Sequence, residues 1–338
     1  MPFELWPAND QQAWTELFHD GDIFDGRGEA FGWSEATRKT NRKHYARWLS
    51  WLNSQDLLVR TQKPWQRITP ETVEAFIRFE INRVSPITVA SELIGLKTVI
   101  LKMQPHGNWQ WLRDISNRIK VWAKPVRNNQ HRIVAADKVY WSVISELGKF
   151  KDCPFDRRKD RLAYRNLLMV ATLTICPVRI SNFAAIRIKE HLQQHGDEWR
   201  LRFEDVEIKN KMPLGFHIPP SLAPYLAIYL DKIRPDLPGA NNHTGLWPGA
   251  KGAPLAMITI YANIMATTER LFGVGINPQS FRSIAATWLS ERSSSDSLFA
   301  RPLLGHRSPA TTERYYIKAS KLEASVRVSD ALIRIRDT

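Results

Sequence analysis

The sequence predicts a mainly α-helical chain with a small antiparallel sheet, an α+β class, divided between two domains. Three observations predict it. A length of 338 residues is more than one ordinary core holds. Apolar residues recur at three- and four-residue spacing through most of the chain, whereas strict alternation is confined to two short stretches near 200 and 216.

Ser34 is placed to cap a helix whose apolar stripe is Tyr45, Trp48, Leu49 and Leu52, with Arg38, Arg42, Lys43 and Arg47 mostly off it. Thr69, Pro70 and Glu71 start a second helix, for which Val73, Phe76, Ile77 and Ile81 are the expected buried stripe. Ser85 and Pro86 repeat the device ahead of Val89, Leu93, Leu96, Ile100 and Met103, until Pro105 and Gly107 break the pattern. Trp109, Trp111 and Trp122 point to a last helix. From Lys124 to Ala136 the run KPVRNNQHRIVAA has no sustained periodicity and reads as a basic connector, suited either to closing around a charged rod or to plain solvation. The expected divisions are thus an acidic segment 1–32, a helical domain 33–123, a linker 124–136 and a second domain 137–338.

The second domain opens with helices around Lys138–Leu147 and Arg161–Ile175, the latter almost wholly apolar at its end and stopped by Pro177. Trp199, Leu201 and Phe203, then Leu214, Phe216 and Ile218, alternate with polar or small residues and predict two strands. The turn between them, IKNKMP, exposes Lys209 and Lys211. Helix resumes after Pro219.

Composition narrows the function. A net charge of +14 makes an anionic partner the leading expectation, DNA or RNA first, with polyphosphates or anionic lipid heads as blander choices. Residues 1–32 carry −6, residues 33–130 carry +10 and the remainder +10, so the acidic leader reads as packing or partner surface and both later regions can face a phosphate backbone. No apolar run is long enough for a bilayer, and Met1 to Asp10 lacks a signal-like pattern, so no membrane role and a cytoplasmic, nucleoid-associated location are expected. Cys153 and Cys176 stand far apart without metal-ligand spacing, and His191 with His195, at helical spacing, reads as a solvated pair; no metal or cofactor is called for.

Arg179 follows the apolar helix in TICPVRISNFAAI, where Ser181 is the expected cap of a helix running through Phe183 and Ile186. A cation there opposes the helix dipole unless an anion sits in front of it, although a lone arginine is ordinarily solvated or paired with a carboxylate. Arg282 sits in NPQSFRSIAATWL, beside the stripe Phe281, Ile284, Ala285 and Trp288, again near a helix entrance opened by Asn277 and Pro278. Two guanidinium forks can hold the non-bridging oxygens of one phosphate. In LLGHRSPATTERYYI, Gly305 ends one helix and Ser308 with Pro309 starts another, joining His306 to Tyr315 and Tyr316 through a tight corner.

Together these segments resemble the tyrosine recombinase or phage integrase family. LLGHRSPATTERYY is similar to the family's LGH segment ending in its nucleophile, which falls on Tyr315, nine residues after His306. CPVRISNFAAIRI resembles the first arginine box, at Arg179, and LWPGAKGAPLA with INPQSFRSIAATWL resembles the approach to the second arginine, at Arg282. The family's hairpin lysine falls on Lys209, preferred because Pro213 follows at the usual interval, or on Lys211. Gln279 stands where the family usually has histidine, and Asn182 where an acidic residue is frequent. The helical region is similar to the family's core-binding, SAM-like DNA-binding domain, and residues 137–338 to its catalytic domain.

The resemblance implies an enzyme that cleaves and rejoins double-stranded DNA through a 3′-phosphotyrosine on Tyr315, without metal or ATP. Arg179 and Arg282 would neutralise the phosphorane, Lys209 would protonate the leaving oxygen, and His306 and Gln279 would hold oxygens or support the tyrosine. It further implies a tetramer on DNA serving a mobile element, with an accessory DNA-bending or directionality protein and with Leu322, Val326 and Ile333 either docking on a neighbour or packing on the chain itself. Arg38, Arg42, Lys43, Arg47, Lys97, Arg127 and Arg132 are the expected DNA contacts. The alternatives are a recombinase-derived architectural protein with weak catalysis and an enzyme of the type IB topoisomerase kind.

Overall fold

A computed structural model describes residues 1–22, 24–124, 126, 134–208, 213–249 and 252–292. The chain is mainly helical with one small antiparallel sheet, and it divides into two compact units, Met1–Asn128 and Asn129–Thr338, each with its own hydrophobic cluster.

In the first unit α1 (Ala8–Glu16), α2 (Glu35–Ser54), α3 (Pro70–Ile81), α4 (Pro86–Met103) and α5 (Gln110–Trp122) surround an aromatic core. The side chains of Ser34, Thr69 and Ser85 accept the amides of Thr37, Thr72 and Thr88, satisfying donors that every helix start leaves open, worth about 1 kcal/mol each. α2 and α4 pack closely because Gly95 lies against the His44 ring, where a Cβ would come within 2.5 Å. The acidic leader belongs to this core. Trp6 meets Trp14 and Tyr45 edge-on at centroid separations of 5.7 and 5.1 Å, and the Asp10 carboxylate, with no exposed surface, accepts from the Tyr45 hydroxyl and from Arg67.

α3 corrects one expectation. Val73 and Phe76 are buried, but Ile77 is half-buried and Ile81 is 42% exposed, while Glu80 takes the core position. The buried line therefore runs 73, 76, 80, and a carboxylate can occupy it because Arg47 and Arg83 both bind Glu80, at 2.5 and 2.6 Å. Glu92 stands beside this cluster. Burial, then the Glu80 charge, push its carboxyl up to about 7 despite Arg83 and Arg47. Between the unfolded value of 4.5 and about 7 the folded chain binds more protons than the unfolded one, so stability falls as pH rises across that window, by on the order of 2 kcal/mol. Thermal unfolding of Glu92→Gln should lose this decline; an unchanged pH profile would refute it.

The second unit begins with α6 (Ala136–Gly148) and α7 (Arg158–Ile175), the latter buried through Leu167–Thr174, followed by α8 (Ile180–Ala184). The sheet has three strands, β1 (Leu192–His195), β2 (Glu198–Phe203) and β3 (Leu214–Ile218), in the order β1-β2-β3, where two were expected. β1 pairs Leu192 with Leu201 and His195 with Glu198 across a turn at Gly196, which takes φ +61°. Its polar sequence LQQH carries no alternation, which is why only its partners were visible. α9 (Ala223–Ile228), α10 (Met257–Phe272) and α11 (Ser280–Arg292) complete the described part.

Candidate active site

Pro177 ends the α7 run, and the buried Val178 anchors the turn behind it. The next residue, Arg179, is extended (φ −65°, ψ 146°), and its carbonyl accepts the Phe183 amide to open α8. Arg179 is therefore the cap residue itself, and Ser181, expected in that role, lies inside the first turn with its hydroxyl donated to Asn182. α8 ends at Ala184 because Phe183 is drawn into the core. Its ring stacks on Trp247 at 5.2 Å, and the Trp247 indole N–H donates to the Phe183 carbonyl.

A second element reaches the same turn. α10 ends in Gly273 at φ +69°, the left-handed conformation glycine adopts without a Cβ penalty. The Thr268 hydroxyl takes the Ile276 amide, and Asn277 takes the Ser280 amide, directing the chain into α11. Phe281, Ile284 and Ala286 bury one side of α11, with Trp288 only partly covered. Arg282 is drawn in beside them, 4% exposed, and its Nη1 donates to the Pro177 carbonyl at 2.7 Å. Residues more than a hundred positions apart are thereby brought together. Burial first, and the Arg179 charge second, pull the Arg282 guanidinium down to about 10. Two cations are held close enough to oppose each other, an arrangement that an oxyanion between them would relieve. Gln279, one turn earlier, is exposed at this entrance, and its carbonyl accepts the Arg282 amide.

The stretch leading into IKNKMP is pinned from α8 and β1. Asn182 donates its side-chain amide to the Glu207 carbonyl at 3.2 Å. His191 and Glu207 are the residues that sequence reasoning missed. His191, expected to be a solvated partner of His195, is buried just before β1 and rests on Phe203. Its Nδ1 accepts the Arg187 amide at 2.9 Å, so its Nε2–H donates to the Glu207 carboxylate at 2.7 Å. Burial alone would raise the Glu207 carboxyl; the His191 and Glu204 N–H bonds outweigh it and hold it below the usual value. Glu190, His191 and Glu207 lie within metal-binding reach of one another, yet His191 is engaged at both nitrogens and Glu190 pairs with Arg187. Lys209, Lys211, His306, Tyr315 and the tail residues Leu322, Val326 and Ile333 lie outside the described residues.

In the first unit, two of the expected DNA contacts are half-buried and bonded to the chain itself. Arg38 donates to the Trp33 and Phe31 carbonyls and lies 4.2 Å from the Phe18 ring centre, and Arg47 is bound to buried Glu80. Both were drawn inward because acceptors on the leader and on α3 face them. Arg42 and Lys43 remain exposed, Arg42 over the Phe3 ring. Lys97 is half-buried; desolvation and then the charges of Arg113 and Lys120 lower its pKa, exposing a basic cluster on α4 and α5 of which only Lys97 was singled out beforehand. Arg127 and Arg132 lie outside the described residues.

The phage integrase family model matches residues 153–322. A tyrosine recombinase XerD from Chlorobaculum tepidum is 26% identical over 176 residues, 51% of this chain and 55% of that protein; the matched region spans about half the relative's length. Among solved structures, XerH site-specific recombinase bound to palindromic difH in a post-cleavage complex superposes with a TM-score of 0.61 at 16% identity, covering 85% of this chain and 79% of that one. The XerH pre-cleavage complex with difH gives 0.56 at 15% identity, covering 86% and 79%. These two likenesses establish the fold. With a family model spanning half its length, bracketing both the arginine that opens α8 and the one buried in α11, this chain belongs to the phage integrase family of tyrosine recombinases.

Proposed function

We propose that the chain is a site-specific DNA recombinase that cleaves and rejoins strands through a 3′-phosphotyrosine intermediate and serves the integration or excision of a mobile element. The observation that carries the reading is the convergence of Arg282 on the Pro177–Arg179 turn, which supports a site in which both guanidiniums act on one phosphate. The Tyr315 oxygen attacks phosphorus, the bond to the 5′ oxygen breaks, and that oxygen leaves as a hydroxyl with a proton from Lys209, or from Lys211 in its place. Rejoining is the reverse, with the 5′-hydroxyl displacing tyrosine, so bond energy is conserved without ATP. Arg179 and Arg282 stabilise the charge of the phosphorane, His306 holds a phosphate oxygen or supports the tyrosine, and Gln279 fills the remaining hydrogen-bonding place. Duplex DNA lies against Lys43, Arg42 and the Lys97, Arg113 and Lys120 cluster, with Arg127 and Arg132 on the connector. The working assembly is a tetramer with an accessory DNA-bending or directionality protein, in the cytoplasm at the nucleoid.

A suicide duplex carrying the sequence that flanks this gene's element tests the reading. Covalent protein–DNA adduct should accumulate and vanish in Tyr315→Phe. One observation favours a second reading. Gln279 offers no proton near neutral pH, which suits an architectural DNA-binding protein with weakened catalysis, and tight binding of that duplex without any trapped adduct would select it. Relaxation of plasmids lacking the site would instead select topoisomerase-like activity, against which the likeness to recombinases across both units weighs.

A further inference from the structure

Among the described residues of the first unit, the most exposed large apolar side chain is Phe24, at 90%. The Asp22 carboxylate beside it accepts the backbone amides of both Phe24 and Asp25, at 2.7 and 2.8 Å. Asp20, Asp22 and Asp25 flank Phe24 in sequence and make its segment acidic, with Arg27 paired to Asp20 and His19 beside Asp25. The same unit carries the complementary surface. A groove of about 680 Å³ has Phe3, Trp14 and Phe18 as its apolar wall and Lys39, Arg42 and Lys43 along its rim, with Glu35 as an acidic lining residue. A second depression of about 510 Å³, lined by the same three aromatic residues, continues to His19, where the Phe24 loop begins. Phe24, being almost fully exposed, does not fill its own groove.

We propose that, in the absence of DNA, this groove receives the Phe24 loop of a second copy of the chain, and that duplex takes the place of that loop at Arg42 and Lys43. An aromatic anchor in an acidic segment meets an aromatic wall with a basic rim, so the contact matches in both polarity and charge. Because loop and groove share an edge at His19, two copies related by a two-fold axis make both contacts at once, which closes the interface instead of leaving an open filament. Acidic side chains of the leader thereby gain a role that phosphate binding could not give them.

The full chain with p-benzoylphenylalanine in place of Phe24 tests this without DNA, mixing isotopically light and heavy copies at up to about 100 µM and irradiating. The exposed position tolerates the change. Light–heavy adducts mapping to the peptides that hold Phe3, Trp14 or Phe18 are expected. Their yield should fall about tenfold in Arg42→Glu with Lys43→Glu, and return when Asp20→Lys and Asp25→Lys are added, leaving Asp22 to hold the loop. Adducts only within one copy, adducts mapping elsewhere, no adduct, or a yield indifferent to the charge reversal would each overturn the proposal. Because the measurement needs no strand cleavage, its outcome is independent of whether the chain recombines DNA.

Discussion

Arg282→Ala is expected to lower the single-turnover rate of strand cleavage by about three orders of magnitude with the second unit still folded. Removing one preorganised donor from a developing oxyanion ordinarily costs 10²- to 10³-fold, and a charged fork in a largely desolvated position belongs at or above the upper end of that range. The substitution also leaves the Pro177 carbonyl without its 2.7 Å donor, so the turn that carries Arg179 loosens at the same time. Arg282→Lys keeps the charge but not the bidentate geometry, and should recover only part of the loss. Adduct formation on the suicide duplex, with circular dichroism to confirm folding, measures the effect. A rate within tenfold of the unsubstituted chain would remove Arg282 from the chemistry.

Asp10→Ala should produce the largest change in stability. Asp10 has no exposed surface, and burial raises its carboxyl above the ordinary value even though Tyr45 and Arg67 donate to it. Without it Arg67, itself buried, keeps its charge and loses its counterion; two of its nitrogens, Nε and Nη1, already have no hydrogen-bond partner. Breaking such a pair from one side costs about 3–5 kcal/mol, a large part of what a domain of this size possesses. The melting transition of the first unit should fall by roughly 10–25 °C in calorimetry of the full chain. Replacing both partners by apolar residues, Asp10→Leu with Arg67→Met, should cost less than Asp10→Ala alone, since it is the stranded charge that does the damage. A single-substitution loss below about 1 kcal/mol would show the pair to be dispensable.

Helix starts were the most legible part of the chain. Ser34, Thr69 and Ser85 announce themselves because a cap and its first turn are neighbours in sequence, and all three make the expected bonds. What depends on distant partners was not legible. Glu80 displaces Ile81 from the core only because Arg47, on another helix, reaches it. β1 is recognisable only through its register with β2, and His191 looks solvated until the Arg187 amide and Glu207 are seen closing on its two nitrogens. In the same way, motif residues single out Arg179 and Arg282 one at a time, while their meeting across the Pro177 turn is a tertiary fact that no local pattern contains.

That meeting has a thermodynamic corollary. Burial and the neighbouring Arg179 charge both work against the charged form of Arg282, so keeping that charge in place costs the unit stability. On the proposed reading, a phosphodiester held by both guanidiniums would offset that cost and make deprotonation of Arg282 harder, so part of the binding free energy would go into tightening the polypeptide around its ligand. On the proposed reading, the electrostatic cost of the paired arginines and the cohesion gained on DNA are two sides of a single design, in which binding tightens the fold.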